Sequence, residues 1–167
     1  MKIGFLLLLA LIATLVSAQE SKVAILEEMD FVHGRVFHRD GKLQGKWFIN
    51  YHSPWCPHSK RLVPVWEQVA NSLAPDVNVG SVDCSKHHDL CIFYGIWAYP
   101  TIYFTESDLG VVKYEGVRSQ LELTNYVKNQ GYLSVPKDKV NSFEKYRNET
   151  WTERITNMFR DTPSGGV

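Results

Sequence analysis

The spacing of apolar residues along the chain changes several times, and each change marks an element. Residues 45–52 (GKWFINYH), entered through the turn-like DGKLQG, form an aromatic and β-branched run that predicts a buried strand. From position 56 to 73, Leu62, Val65, Trp66, Val69 and Leu73 recur at spacings of three and four, which predicts a helix with one core-facing stripe. Pro64 falls inside it, removes a backbone donor and is expected to kink it. Residues 77–84 (VNVGSVDC) read as a second buried strand and 87–95 (HHDLCIFYG) as a short helix stopped by Gly95. PTIYF and GVVKY then read as two strands joined by TESDL. Leu121, Leu123, Tyr126 and Val127 supply the apolar set of a closing helix over 119–130. Upstream, KVAIL (22–26) predicts a short strand, and the mixed segment through Phe31, Val36 and Phe37 is expected to be helical. The predicted order is α/β: strands and helices alternating, then a hairpin, then a helix.

The two ends differ from this middle. Basic Lys2, an apolar run over 3–16, and small Ser17 and Ala18 before polar Gln19 predict a signal peptide over 1–18. An uncleaved membrane anchor is the rival reading, against which the run is short for a span. No later segment is long and apolar enough to cross a bilayer, so no membrane span is expected after signal cleavage. The closing DTPSGGV is not a KDEL-type address, and the endoplasmic reticulum lumen or the exterior is the expected location. Over 137–161, Val140, Phe143, Trp151, Ile155 and Met158 stand close to helical spacing with charges between them. A helical extension over 132–161 is expected, packed on the domain or holding a partner protein. Asn148 in NET is a glycosylation acceptor, and 162–167 is expected to be disordered.

A chain of 167 residues suits one ordinary domain with short extensions. Lysine and arginine total 18 and aspartate and glutamate 18; this balance gives no long-range field towards nucleic acid, and no nucleic-acid partner is expected. Cys56, Cys84 and Cys91 make an odd count in an oxidising route, which suggests one disulfide and one leftover thiol. His52, Cys56 and His58 are the nearest cluster of metal-ligand types, but no CxxC pair or HExxH spacing supports a site, so neither metal nor cofactor is expected.

A strand, then PWCPHS, then a helix holding a proline, then YPT opening a hairpin resembles the thioredoxin fold, and within it a protein disulfide isomerase domain. The resemblance covers residues 23–131, within a domain taken as 19–131. It rests on WCPHS where the family has WCGHC, on Pro64 at its helix kink, on YPT at its cis-proline, and on Arg118 in YEGVR at its mobile arginine. It implies a central mixed sheet flanked by helices, with Cys56 as nucleophile. A helix N-terminus favours a thiolate, and His58 adds a nearby ring that can be cationic. Trp55, Pro57, Tyr99 and Pro100 would border the client, which in this family pairs with the backbone just before the cis-proline. Some secretory members carry a disulfide resembling a Cys84–Cys91 pair; two reduced, buried thiols are the alternative.

The departures from the family shape the expected function. Ser59 replaces the second cysteine, and a hydroxyl can neither resolve a mixed disulfide nor complete an internal one. Active members keep a buried acid six residues before the nucleophile and a lysine on the next strand, where this chain has Asn50 and Ser81. Trp97 and Ala98 replace the family's glycine and tyrosine, leaving Trp97 as either a client-binding aromatic or a half-buried packing residue. Two function classes follow. In the first, a monothiol member of the family forms mixed disulfides with cysteine-bearing client proteins in the secretory pathway, in isomerisation or thiol-mediated retention. In the second, a redox-inactive module binds proteins through the groove near Pro100 and the tail helix, and Cys56 is dispensable.

Overall fold

The computed structural model describes residues 20–32, 35–36, 45–106, 109–136 and 140–141. The signal segment, Asn148 and the last residues lie outside the described residues.

A mixed sheet of six strands forms the centre, in the order β1-β5-β4-β6-β7-β8. The strands are β1 (Val23–Ile25), β4 (Trp47–His52), β5 (Asn78–Asp83), β6 (Thr101–Glu106), β7 (Gly110–Tyr114) and β8 (Val140–Asn141). β1, β5 and β4 run parallel, whereas β4, β6, β7 and β8 pair antiparallel. The helices are α1 (Pro57–Leu73), α2 (His88–Phe93) and α3 (Gln120–Lys128). This is a thioredoxin fold.

Strand alternation divides the core between the two faces of the sheet. Trp47, Ile49 and Tyr51 of β4 pack in one apolar cluster with Val82, Leu90, Phe93 and Tyr94. Phe48 turns the other way, into a cluster with Leu62, Trp66 and Val69 of α1 and Leu123 and Val127 of α3. Both faces of the central strand are therefore dry, as its continuous apolar run predicts. α1 crosses Pro64 without interruption and buries Leu62, Trp66, Val69, Ala70 and Leu73. Its seating is fixed by a buried bond in which Trp66 Nε1 donates to Gly80 O at 3.0 Å. On the opposite face of the sheet the same residue leaves room for the other cluster: a Cβ at Gly80 would stand 2.6 Å from Leu26 Cδ1 and 3.3 Å from the Trp47 ring.

The described residues correct one reading. The segment through Phe31 and Val36 is not an α-helix: a 3-10 turn over Glu28–Asp30 leads into an antiparallel pair, β2 (Phe31–Val32) with β3 (Arg35–Val36). Its sequence, FVHGRV, places β-branched and aromatic residues on both sides of a glycine, a hairpin signal that outweighs the loose apolar spacing. In the expected extension, the described residues form a 3-10 turn over Gly131–Ser134 and then β8 at the sheet edge. Tyr132 stacks on Phe104 with ring centroids 3.9 Å apart. Residues 137–139 and 142–161, where the helical tail is expected, lie outside the described residues.

Candidate functional site

β4 ends at His52, and residues 53–56 turn directly into α1. The Cys56 N–H donates to Ser53 O at 3.1 Å, and Cys56 O accepts from the Lys60 N–H at 3.0 Å. Cys56 is thus the N-cap of α1, with Pro57 in the first helical position. That position suits proline, whose missing N–H would have no helical partner there. The N–H groups of the first turn point towards the sulfur and present the positive end of a 17-residue helix.

Opposite this turn lies the segment between α2 and β6. Gly95 ends α2 in a left-handed conformation at φ 69°, with its N–H donating to Ile92 O at 2.8 Å. The chain then reaches a cis Tyr99–Pro100 bond, where Thr101 Oγ1 donates to Ala98 O at 2.7 Å. The Cys56 thiol donates to Tyr99 O at 3.3 Å. Residues 43 positions apart therefore meet, with the sulfur against the carbonyl just before the cis-proline.

Cys56 is the free cysteine among the described residues, Cys84 and Cys91 being joined with their Cα atoms 5.7 Å apart. Its thiol is held below the ordinary thiol range, first by the backbone N–H of Ser59. Desolvation opposes this, and the His58 N–H, the Ser59 hydroxyl and the charge of Arg61 add to it. His58 acts on the sulfur through its backbone, because its ring is engaged elsewhere. Arg61 Nη2 lies 3.0 Å from His58 Nδ1, and since a guanidinium only donates, Nδ1 is the acceptor.

Ser59 faces inward from α1 and is buried, and its Oγ accepts from the Ser53 N–H at 3.4 Å. Asn50 and Ser81 are register partners across β4 and β5 and are both buried. By strand alternation they share the sheet face covered by α1, the side to which Ser59 points. Asn50 and Ser81 thus oppose each other across the two strands, and Asn50 Oδ1 has no hydrogen-bond partner among the described residues. Trp55 and Trp97 are 79% and 72% exposed, so Trp97 is not a packing residue. Arg118, on the loop after β7, lines a cleft of about 390 Å³ with His58, Arg61, Leu62 and Gly116.

Arg61 was not among the residues singled out from sequence. Its signal was its place three residues after His58, one helical turn along the same face.

A model of the family described as Thioredoxin matches residues 32–129. The chain belongs to the thioredoxin family. It is 35% identical over 123 residues to the probable protein disulfide-isomerase A6 of Medicago sativa, covering 72% of this chain and 32% of that protein. It is 40% identical over 121 residues to DnaJ homolog subfamily C member 10 of Xenopus laevis, covering 72% and 14%. Against protein disulfide-isomerase A3 of Gallus gallus the identity is 32% over 159 residues, covering 95% and 30%. The chain thus spans about a third or less of these relatives' own length. Among solved structures, the J-Trx1 fragment of ERdj5 matches with a TM-score of 0.58 at 28% identity, covering 65% of this chain and 50% of that one. Human ERp44 shares the fold, with a TM-score of 0.55 at 23% identity over 68% of this chain and 30% of that one.

His52, at the end of β4, is partly buried opposite Asp83. Its ring is pushed below the ordinary histidine range by burial, with the Asp83 charge pulling the other way. Between that lowered value and about 6.5, the unfolded chain binds more protons than the folded one, so stability rises with pH there and is lost as pH falls. The melting temperature is expected to drop between pH 7.5 and pH 5 by more in the wild type than in His52→Gln. Parallel losses in the two proteins would contradict this reading of His52.

Proposed function

We propose that this domain carries out single-cysteine thiol–disulfide exchange on client proteins in the secretory pathway, in the lumen of the endoplasmic reticulum or after secretion. The Cys56 thiolate attacks one sulfur of a client disulfide. A new S–S bond joins Cys56 to that sulfur, and the other client sulfur leaves as a thiolate that takes a proton from water. No net oxidation occurs in this step, and Ser59 cannot reverse it from within the domain.

The observation that carries the reading is the position of the free sulfur, at the N-cap of α1 and 3.3 Å from the carbonyl that precedes cis-Pro100. The helix end favours the thiolate, and the Tyr99 backbone offers an extended client a place to pair. Trp55, Pro57 and Tyr99 form the surrounding surface. The relatives' names, protein disulfide-isomerases among them, fit the same chemistry.

Iodoacetamide labelling of the reduced domain across pH tests the nucleophile. Its midpoint is expected below the ordinary thiol value of about 8.5, and Arg61→Gln is expected to raise it. An ordinary midpoint would remove the electrostatic basis of the proposal. The exposed Trp55 and Trp97 favour a second reading, a protein-binding module in which the sulfur is dispensable. The two part on Cys56→Ala in secretory cells: exchange requires loss of every reducible adduct, whereas the binding module keeps its partners.

A further inference from the structure

Two guanidinium groups line one cleft with His58, two positions from Cys56, and the charge of one of them, Arg61, reaches the Cys56 sulfur. Arg61 comes from α1 and Arg118 from the loop between β7 and α3, and both are exposed. They line one cleft with His58, Leu62 and Gly116, and no carboxylate is in the lining. Among the described residues, neither guanidinium makes an ion pair. Arg61 is restrained by its 3.0 Å bond to His58, so one wall of the cleft is a partly fixed fork of donors. Packing requires neither cation here. A carboxylate entering the cleft would gain charge-assisted hydrogen bonds from both. The volume, about 390 Å³, suits a small ligand.

We propose that this cleft binds the carboxylate of a low-molecular-weight thiol, and that this thiol supplies the second sulfur that position 59 lacks. The inference rests on the exchange reading of Cys56 and names its co-reactant by chemical class. The small thiolate attacks the Cys56 sulfur of the mixed disulfide, joining the small thiol to Cys56, and the client sulfur leaves as a thiolate. A second small thiolate attacks the first one's sulfur, which frees Cys56 as a thiolate and releases the small-molecule disulfide. Over the cycle a client disulfide gains two electrons and two small thiols lose them. The carboxylate anchored on Arg61 and Arg118 stays outside this exchange and raises the local concentration of the attacking sulfur.

The test loads Cys56 with an uncharged fluorescent peptide as a mixed disulfide. Its release is timed with glutathione and with glutathione diethyl ester, which keeps the thiol and loses both carboxylates. Each rate is divided by that thiol's rate on the same peptide joined to an unstructured cysteine peptide, which cancels intrinsic reactivity. The normalised ratio of acid to ester is expected to be roughly five- to tenfold in the wild type. It is expected to fall towards one in Arg61→Gln/Arg118→Gln and in about 0.5 M salt. The ratio is the readout because Arg61 also acts on the Cys56 sulfur. A wild-type ratio of one, or a ratio unchanged in the double variant, overturns the proposal. Titration of S-methylglutathione, which has no thiol, separates this from the exchange reading. Amide resonances of Leu62 and Gly116 are expected to shift in the wild type and not in the double variant. No shift in the wild type defeats the cleft proposal whatever Cys56 does, whereas failure to load the peptide with the shifts intact defeats only the exchange reading.

Discussion

Ser59→Cys is expected to release the mixed disulfides proposed for Cys56 on the order of a hundredfold faster than ~1 mM free thiol releases them from the wild type. A cysteine at this position would stand in the first turn of α1, behind the Cys56 sulfur, where the serine hydroxyl now sits buried. Even at an effective concentration of about 1 M, far below the best-oriented intramolecular cases, it would outrun ~1 mM free thiol about a thousandfold. Burial takes part of this back. A cysteine enclosed at position 59 is pushed up in pKa, and one unit removes about tenfold of its thiolate. Asn50, beneath it, offers no carboxylate to take the proton. The check is adduct decay after a reductant-free chase, followed by mass spectrometry of Cys56. The wild type is expected to keep its adducts until a thiol is added, whereas Ser59→Cys loses them alone and acquires an internal disulfide between Cys56 and the introduced sulfur. Equal lifetimes would mean that the missing sulfur does not set the fate of the adduct.

Most of the fold was legible because its strongest elements carry their own signal. β4 announces itself by a run that is apolar on both faces, α1 by a stripe at spacings of three and four, and α2 by the glycine that ends it. The β2/β3 pair was misread because its few residues fit a helical spacing as well as a strand, and only the glycine between them argues for a turn. β8 has two residues and is a strand only because β7 offers it an edge, which no local pattern reveals. At the site, the pairing of Cys56 with cis-Pro100 was legible through the family resemblance, which implies a cis-proline facing the nucleophile. The direction of the His58 ring could not, since it depends on where Arg61 reaches across one helical turn. Nor could the exposure of Trp97, which depends on how the chain leaves α2.

Asn50 and Ser81 lie in the same layer of the core as Ser59. They are neighbours in adjacent strands, on the face that Ser59 covers. A carboxylate or ammonium left there alone would be costly to bury. With neutral groups at all three positions, the layer between α1 and the sheet carries no charge. This arrangement suits a site whose inner residue never needs deprotonating.

Removing the Cys84–Cys91 bond is expected to be the other large effect, and it acts on stability first. Seven positions separate the two residues, and closing a loop of that size removes unfolded-chain entropy worth about 2.4 kcal/mol at 25 °C. Both cysteines are also buried in the cluster with Leu90, Phe93 and Tyr94, so Cys84→Ala/Cys91→Ala leaves small voids that add to the loss. The turn is partly held without the disulfide. Asp83 Oδ1 accepts from the Ser85 N–H at 2.9 Å and from the Ser85 hydroxyl at 2.6 Å, and Asp83 O accepts from the His87 N–H at 2.9 Å. The variant is therefore expected to fold, with a melting temperature lower by roughly 10–25 °C for a domain of this size. The loss also reaches the site, because α2 leads through Gly95 and Trp97 to Tyr99, whose carbonyl receives the Cys56 thiol. Loosening that wall is expected to speed amide exchange at residues 96–99 before global unfolding. Thermal melts of the wild type with and without reductant, set beside the double variant, give the measurement. A drop of less than about 4 °C, about what 1 kcal/mol gives in a domain of this size, would show that the turn needs only its backbone and Asp83 bonds.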